Sequence, residues 1–373
     1  MSTLPAKVNL LDYGSDALKE LFATFNEKPY RADQVIAWMH KHDCHDIEAM
    51  TNLSKSCRQF LLDKTTIIEP ELALVRPSDD GTCKFLIRLY DGNLIETVYI
   101  PEKTRATLCV SSQVGCALNC DFCATGKEGF NRNLTLSEII SQLQIARRWA
   151  ASNHVQAVTN VVFMGMGEPL LNYAPVLESI KLMLSDNAYG LSKYKVTLST
   201  SGVLPFMVKL KADIDCALAI SLHAPNDVLR TELVPINKKY PLKELMAVCK
   251  DYFENQPRRK VTFEYVMLAG VNDQLEHAKQ LAQLVKDVPC KMNLIPFNSF
   301  TGTRYTRSPD EQVLKFQDYL IQKGIDTWIR KTRGDSVAAA CGQLAGDIKD
   351  RTGRHERWLK TSHVTIKKQE GML

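Results

Sequence analysis

From about residue 105 to residue 335 the chain alternates short β-branched runs with stretches of helical periodicity, and this rhythm constrains the fold more than any other feature. "ATLCVSS", "AVTNVVFMG", "YKVTLSTSG", "CALAISLHA", "KVTFEYVML" and "KMNLIPFN" each read as a strand, with helices near 135–150, 241–254 and 274–287 among the intervening segments. Six or so βα units imply a parallel sheet, as a barrel or partial barrel; periodicity does not decide closure. In either form the polar groups that do chemistry gather at the C-terminal ends of the strands.

The preceding chain reads differently. Leu18, Leu21, Phe22 and Phe25 fall at helical spacing after Ser15, which suits an N-cap, and "RADQVIAWMHKH" and "SKSCRQFLLDK" repeat the amphipathic pattern. Residues 71–104 then hold three β-rich runs separated by "DDG" and "DG", both hairpin turn signals. The expected organisation is a helical domain over 1–70, an antiparallel β linker over 71–104, an α/β unit over 105–335 and a C-terminal segment over 336–373.

With 45% hydrophobic and 24% charged residues the chain has the material for packed cores. It contains no run of about 18 apolar residues and no basic-then-apolar leader, so no membrane segment and a cytoplasmic location are expected. The net charge of +5 permits a nucleic-acid partner without requiring one. Residues 1–71 carry 8 Lys/Arg against 11 Asp/Glu, whereas residues 349–368 carry 7 against 2. That basic run is either a solvated tail or an arm that contacts phosphates. Nothing demands more than a monomer.

Eleven cysteines without an export signal read as thiols rather than a disulfide framework. Cys216 and Cys249 sit in apolar patterns and suit a core. Cys116, Cys120 and Cys123, in "VGCALNCDFCATG", are different: C-x3-C-x2-C on the loop after the first parallel strand, ahead of a helix opened by a capping box from Thr135 to Glu138. Such thiolates hold zinc or an iron-sulfur cluster. The following loop offers no Cys or His as a fourth zinc ligand, whereas three ligands on a four-iron cluster leave one iron open to chelate a small molecule.

Further strand ends carry polar groups. Gly165, Gly167 and Glu168 lie in "FMGMGEP", where glycines let a ligand approach backbone and a carboxylate can meet an ammonium group. Ser199, Ser201, Ser221 and His223 lie at two more strand ends; singly each reads as a cap or a satisfied histidine, together they favour a ligand pocket. Cys109 precedes the cysteine cluster by seven residues, and Cys341 sits among Ala338, Ala339, Ala340 and Gly342, either packed in a small-residue helix or close to a substrate.

With Phe122 ahead of its last cysteine, the three-cysteine motif resembles that of the radical S-adenosylmethionine (SAM) enzymes. With "PYRADQ", "MGMGEPLLN", "TLSTSG", "SLHAPND", "RKTRGD" and "ACGQL", nearly the whole chain resembles the RlmN/Cfr family of RNA methyltransferases. The resemblance implies an α/β fold, a radical SAM partial (βα)6 TIM-like barrel with an N-terminal helical RNA-binding domain and a short antiparallel β linker.

It also implies methylation of carbon 2 of adenosine in 23S rRNA and in tRNA beside the anticodon, with carbon-8 methylation as the sister activity. A non-catalytic, metal-containing RNA-binding protein is the reading from another class. The implied cofactors are one 4Fe-4S cluster on Cys116, Cys120 and Cys123 and two SAM molecules per turnover, with Gly167, Glu168, Ser199, Ser221, Leu222, His223 and Asn298 as SAM contacts. A flavodoxin-type protein is the implied electron donor.

Cys341 would carry the methyl group, and Cys109 would resolve a protein–RNA adduct by forming a disulfide with it. Glu96, or Cys109 itself, would accept the carbon-2 proton; the plain alternative for Glu96 is an exposed strand glutamate, and for Asn298 a turn-forming asparagine.

Overall fold

The βα rhythm becomes the greater part of one ten-stranded sheet. The computed structural model describes residues 7–24, 26–256, 258–340, 342–344, 353, 356 and 357. A two-residue strand β1 (Val8–Asn9) leads into helices α1 (Ser15–Ala23), α2 (Tyr30–Ile36) and α3 (Lys55–Lys64), and β1 pairs in parallel with β2 (Thr65–Thr66). Leu18 and Phe22, one helical turn apart, are fully buried against the rest of this helical domain. The cap of α1 is Gly14 rather than Ser15, whose hydroxyl instead reaches Asp33. The reason is steric: a side chain on Gly14 would run into Glu178 of the neighbouring domain.

Strands β3 (Glu71–Pro77), β4 (Cys83–Arg88) and β5 (Leu94–Pro101) form an antiparallel meander. Its turns are made by Asp80 and Asp91, whose carboxylates accept the N–H two residues on, each followed by a glycine at positive φ. The meander is not a separate linker, because β5 pairs antiparallel with β6 (Ala106–Cys109) and extends the same sheet. A small hairpin, β7 (Gln113–Gly115) with β8 (Phe130–Asn133), then encloses the cysteine motif and helix α4 (Ala124–Glu128).

The alternation proper follows: α5 (Leu136–Ser152), β9 (Val158–Phe163), α6 (Tyr173–Leu184), β10 (Val196–Thr200), α7 (Leu204–Asp213) and β11 (Ala217–Ser221). It continues through α8 (Asp227–Leu233), α9 (Leu242–Tyr252), β12 (Val261–Met267), α10 (Leu275–Val285), β13 (Cys290–Pro296), α11 (Asp310–Gln322) and β14 (Asp326–Ile329). Thr135 and Glu138 form the capping box that starts α5. From β6 through β9 to β14 each strand pairs in parallel with the next. The sheet ends at β14 on one side and β3 on the other, so the barrel stays open. Cys216 and Cys249 are buried in its core.

Candidate functional site

The three cysteines are held by local backbone geometry. Cys116 N–H donates to Gly129 O at 2.7 Å, closing the loop, and Cys123 N–H donates to Cys120 O at 3.3 Å just ahead of α4. Gly126 lets α4 lie against this turn, since a Cβ there would stand 2.9 Å from Cys120 O. Cys116, Cys120 and Cys123 line one cavity of about 150 Å³ at the C-terminal ends of the strands, together with Gly167, Glu168, Ser199, Ser201, Ser221 and His223.

Burial, then the neighbouring thiols, pushes Cys120 well above the ordinary thiol range, and burial raises Cys123. Three thiols so placed become thiolates together only around a cationic group. Among the described residues no three His, Cys, Asp or Glu side chains converge as ligands of a single ion. Three thiols that line one cavity are a donor set able to hold an iron-sulfur cluster.

Glu168 is buried, with Oε1 accepting from Leu170 N–H at 3.1 Å and Oε2 from Ser201 N–H at 2.8 Å. Burial raises its pKa while these donors oppose the rise. The two glycines before it do not primarily clear space for a ligand. A Cβ on Gly165 would stand 2.7 Å from Val110 and Ser111, and one on Gly167, at φ +100°, 2.5 Å from Gln113. They let the β9 loop cross the chain leading from β6 to β7, where Gln113 Oε1 accepts the Glu168 N–H.

His223 also sits at positive φ (60°), with Nδ1 accepting from Val266 N–H at 3.1 Å and its ring edge-on to Phe122. That bond leaves the proton on Nε2, and burial followed by Arg230 pushes the imidazole down to about 3. Leu222, by contrast, is not brought into the cavity. Its side chain is fully buried in the core, its N–H donates to Glu264 O and its carbonyl accepts from Arg230.

A second cavity of about 670 Å³ adjoins the first, and Met164, Glu264, Ile295 and Arg330 line both. Cys109, at the end of β6, lines this larger cavity with Ala339, Ala340 and Leu344; Asn298 lies here too, accepting from Thr332 Oγ1 at 3.1 Å, rather than beside the three cysteines. Cys341 lies outside the described residues. Its flanks are anchored on the cysteine loop: Gly342 O accepts from Ala124 N–H at 2.8 Å and Leu344 O from Thr125 Oγ1 at 2.6 Å. The ten cysteines among the described residues are free thiols. The basic run at 349–368 is described only at residues 353, 356 and 357.

Glu96 is no exposed strand glutamate. It is buried on β5, with Oε1 2.8 Å from Lys84 Nζ, and lines neither cavity. On the accessory domain Arg31 stacks on the half-exposed Tyr30 and pairs with Glu27. Sequence reading passed over Lys84, Gln113, Arg230, Glu264 and Arg330. Glu264 had a signal, a lone acid inside the apolar run "VTFEYVM"; Arg230 had none, because its surroundings come from four separate segments.

Residues 8–67 match the family described as ribosomal RNA large subunit methyltransferase N-terminal domain, and residues 110–282 match the radical SAM superfamily. The crystal structure of a radical SAM methyltransferase from Sphaerobacter thermophilus is similar over 90% of this chain and 99% of that one, at 40% identity and a TM-score of 0.83. A Streptococcus suis SuiB structure bound to S-adenosylmethionine is more distant: 16% identity over 60% of this chain and 50% of that one, with a TM-score of 0.45.

Proposed function

The chain belongs to the RlmN-type radical SAM methyltransferases, and on that premise we propose that it methylates carbon 2 of adenosine, in 23S rRNA and in tRNA beside the anticodon. The observation that carries the reading is the adjacency of two cavities, one walled by Cys116, Cys120 and Cys123, the other by Cys109 and the residues flanking Cys341. Carbon 2 lies between two ring nitrogens and is electron-poor, so it will not attack a sulfonium methyl as an ordinary nucleophile. A route through protein sulfur answers that difficulty.

Bound by the three cysteines, a 4Fe-4S cluster with SAM on its open iron supplies one-electron cleavage of SAM and hence hydrogen-atom abstraction. This chain's own residues do the rest. Glu168, Ser199, Ser201, Ser221 and His223 form the polar wall that orients SAM, with the Glu168 and His223 side chains already held by backbone N–H groups. Cys341 takes a methyl group from one SAM by displacement at carbon. Once that S-methyl group has lost a hydrogen atom, its carbon would bond to carbon 2 of adenine, which would leave RNA tethered to Cys341. Cys109 then attacks the Cys341 sulfur, forming a disulfide as the new methyl group leaves with the RNA.

The carbon-2 proton goes to Cys109, which lines the larger cavity, or to Glu96, which lines neither cavity and would need a relay to reach the base. Beyond the C-terminal end of β14 the larger cavity is lined by Arg330, Lys331 and Arg333, which suit the phosphates flanking an extruded base. A flavodoxin-type donor would feed the cluster, and the enzyme would act as a cytoplasmic monomer. Among the described residues no helix is long and apolar enough to cross a membrane.

The test is anaerobic turnover on unmodified 23S rRNA and tRNA, followed by mass analysis of the adenosine product. Methyl at carbon 2 is expected. Methyl at carbon 8 would move the protein to the sister activity, and no turnover with an intact cluster would favour the non-catalytic reading.

A further inference from the structure

Arg230 is the largest of the fully buried side chains, and its charge has no paired carboxylate among the described residues. Its guanidinium ends on neutral acceptors: Nε on Leu222 O at 3.1 Å, Nη1 on Asn237 Oδ1 at 2.9 Å, and Nη2 on Ser201 O at 2.7 Å and Ser221 O at 3.1 Å. Asp227, the acid on the same helix, uses Oδ1 on Asn237 and on the N–H of Leu242. Asp227 acts on the guanidinium through its charge and through Asn237 without a direct ion pair, and a buried cation with no directly paired carboxylate is costly.

The anion-bearing side is the cysteine loop. Helix α8 packs directly on it: Leu233 O accepts from Asp121 N–H at 3.1 Å, and Cys120 and Phe122 join the apolar cluster containing Leu229 and Leu233. Arg230 backs the same cavity, because Ser201 and Ser221, whose carbonyls it grips, line it together with Cys116, Cys120 and Cys123. Burial lowers Arg230 itself to about 10, which leaves it charged at neutral pH. A clamp on two strand ends would need hydrogen-bond donors; it would not need a fixed charge beside three thiolates.

We infer that Arg230 is an electrostatic positioning residue, whose permanent charge favours electron uptake by a cluster held on Cys116, Cys120 and Cys123. The step adds one electron from an external low-potential one-electron donor, which is oxidised; no bond breaks and no proton moves. Because a cluster on three thiolates is already anionic, the added charge is stabilised by a nearby buried cation in a low-dielectric wall. The inference rests on the cluster reading given above.

The experiment is an EPR-monitored reductive titration of the reconstituted holoenzyme beside R230K and R230Q, with iron and sulfide counted in each. R230Q keeps donors and loses charge, so its reduction equilibrium is expected to be at least about tenfold less favourable, a fall of about 59 mV for one electron. R230K keeps charge and loses the fork, so it should stay within about threefold of wild type. An assembled R230Q cluster with wild-type potential overturns the inference, as does R230K falling about tenfold; if R230Q does not assemble, R230K decides. Wild-type protein that binds no iron and sulfide would instead remove the cluster reading itself.

Discussion

Lys84 Nζ stands 2.8 Å from Glu96 Oε1 and 3.3 Å from Ala338 O, tying a buried carboxylate on β5 to the segment that leads into Cys341. Lys84 pairs with Val98 across β4 and β5, and Val98 pairs with Cys109 across β5 and β6. The lysine, Glu96 and the thiol therefore share one face of the sheet.

Removing only the cation should take from the buried Glu96 carboxylate its Lys84 partner. Lys84→Met is expected to lose about 3–5 kcal/mol in denaturant unfolding, and Lys84→Met with Glu96→Gln to regain most of it. A double variant as unstable as the single one would contradict the pairing.

Replacing Cys116, Cys120 or Cys123 by Ala should remove bound iron while far-UV dichroism stays native, because these side chains line a cavity and are only partly buried. Anaerobic purification with metal analysis checks this. Iron retained at the wild-type level in any of the three variants would exclude that residue as a ligand.

The two cysteines of the proposed transfer should fail differently. Cys341→Ala is expected to show no methyl transfer and no adduct, whereas Cys109→Ala should accumulate a covalent protein–RNA species on denaturing gels. Unimpaired turnover in Cys341→Ala would sink the two-cysteine route.

Gly167→Ala places a Cβ 2.5 Å from Gln113 at a φ of +100°. The strain is expected to cost about 1–3 kcal/mol and to loosen the Gln113 bond to Glu168 N–H. A thermal midpoint equal to wild type would show that the β9 loop yields more easily than its packing suggests.

His40 is buried, with Nδ1 3.1 Å from Tyr189 Oη, and burial followed by His45 lowers its pKa from 6.5 to about 3. The unfolded chain therefore takes up this proton first. The contribution is complete above about pH 6.5 and is lost as pH falls towards 3, at about 1.4 kcal/mol per pH unit. Stability curves for His40→Gln should be correspondingly flatter between pH 6 and 4; parallel curves would show that His40 titrates normally.

Several candidate site residues were legible before the fold was known because their signals are local. The C-x3-C-x2-C spacing, the strand-end Glu168, the strand-end His223 and the capping box at Thr135 are each carried by a few neighbouring residues. Leu222 shows the limit. It stands between two cavity-lining residues, yet strand alternation turns its side chain into the core. Asn298 was legible as a strand-end polar group, but which of two adjoining cavities it faces depends on how β13 meets β14.

By itself the sequence determined the parallel βα unit, the helical domain ahead of it and the three thiols on the first loop, since hydrophobic period, turn chemistry and cysteine spacing are encoded over short stretches. Only the tertiary structure decided that the β3–β5 meander joins the barrel sheet, that Lys84 and Glu96 are buried as a pair, and that Arg230 is buried on the carbonyls of Ser201 and Ser221. Those relationships bring together residues far apart in the chain, and their energies arise from burial and lost solvent, which no local pattern records.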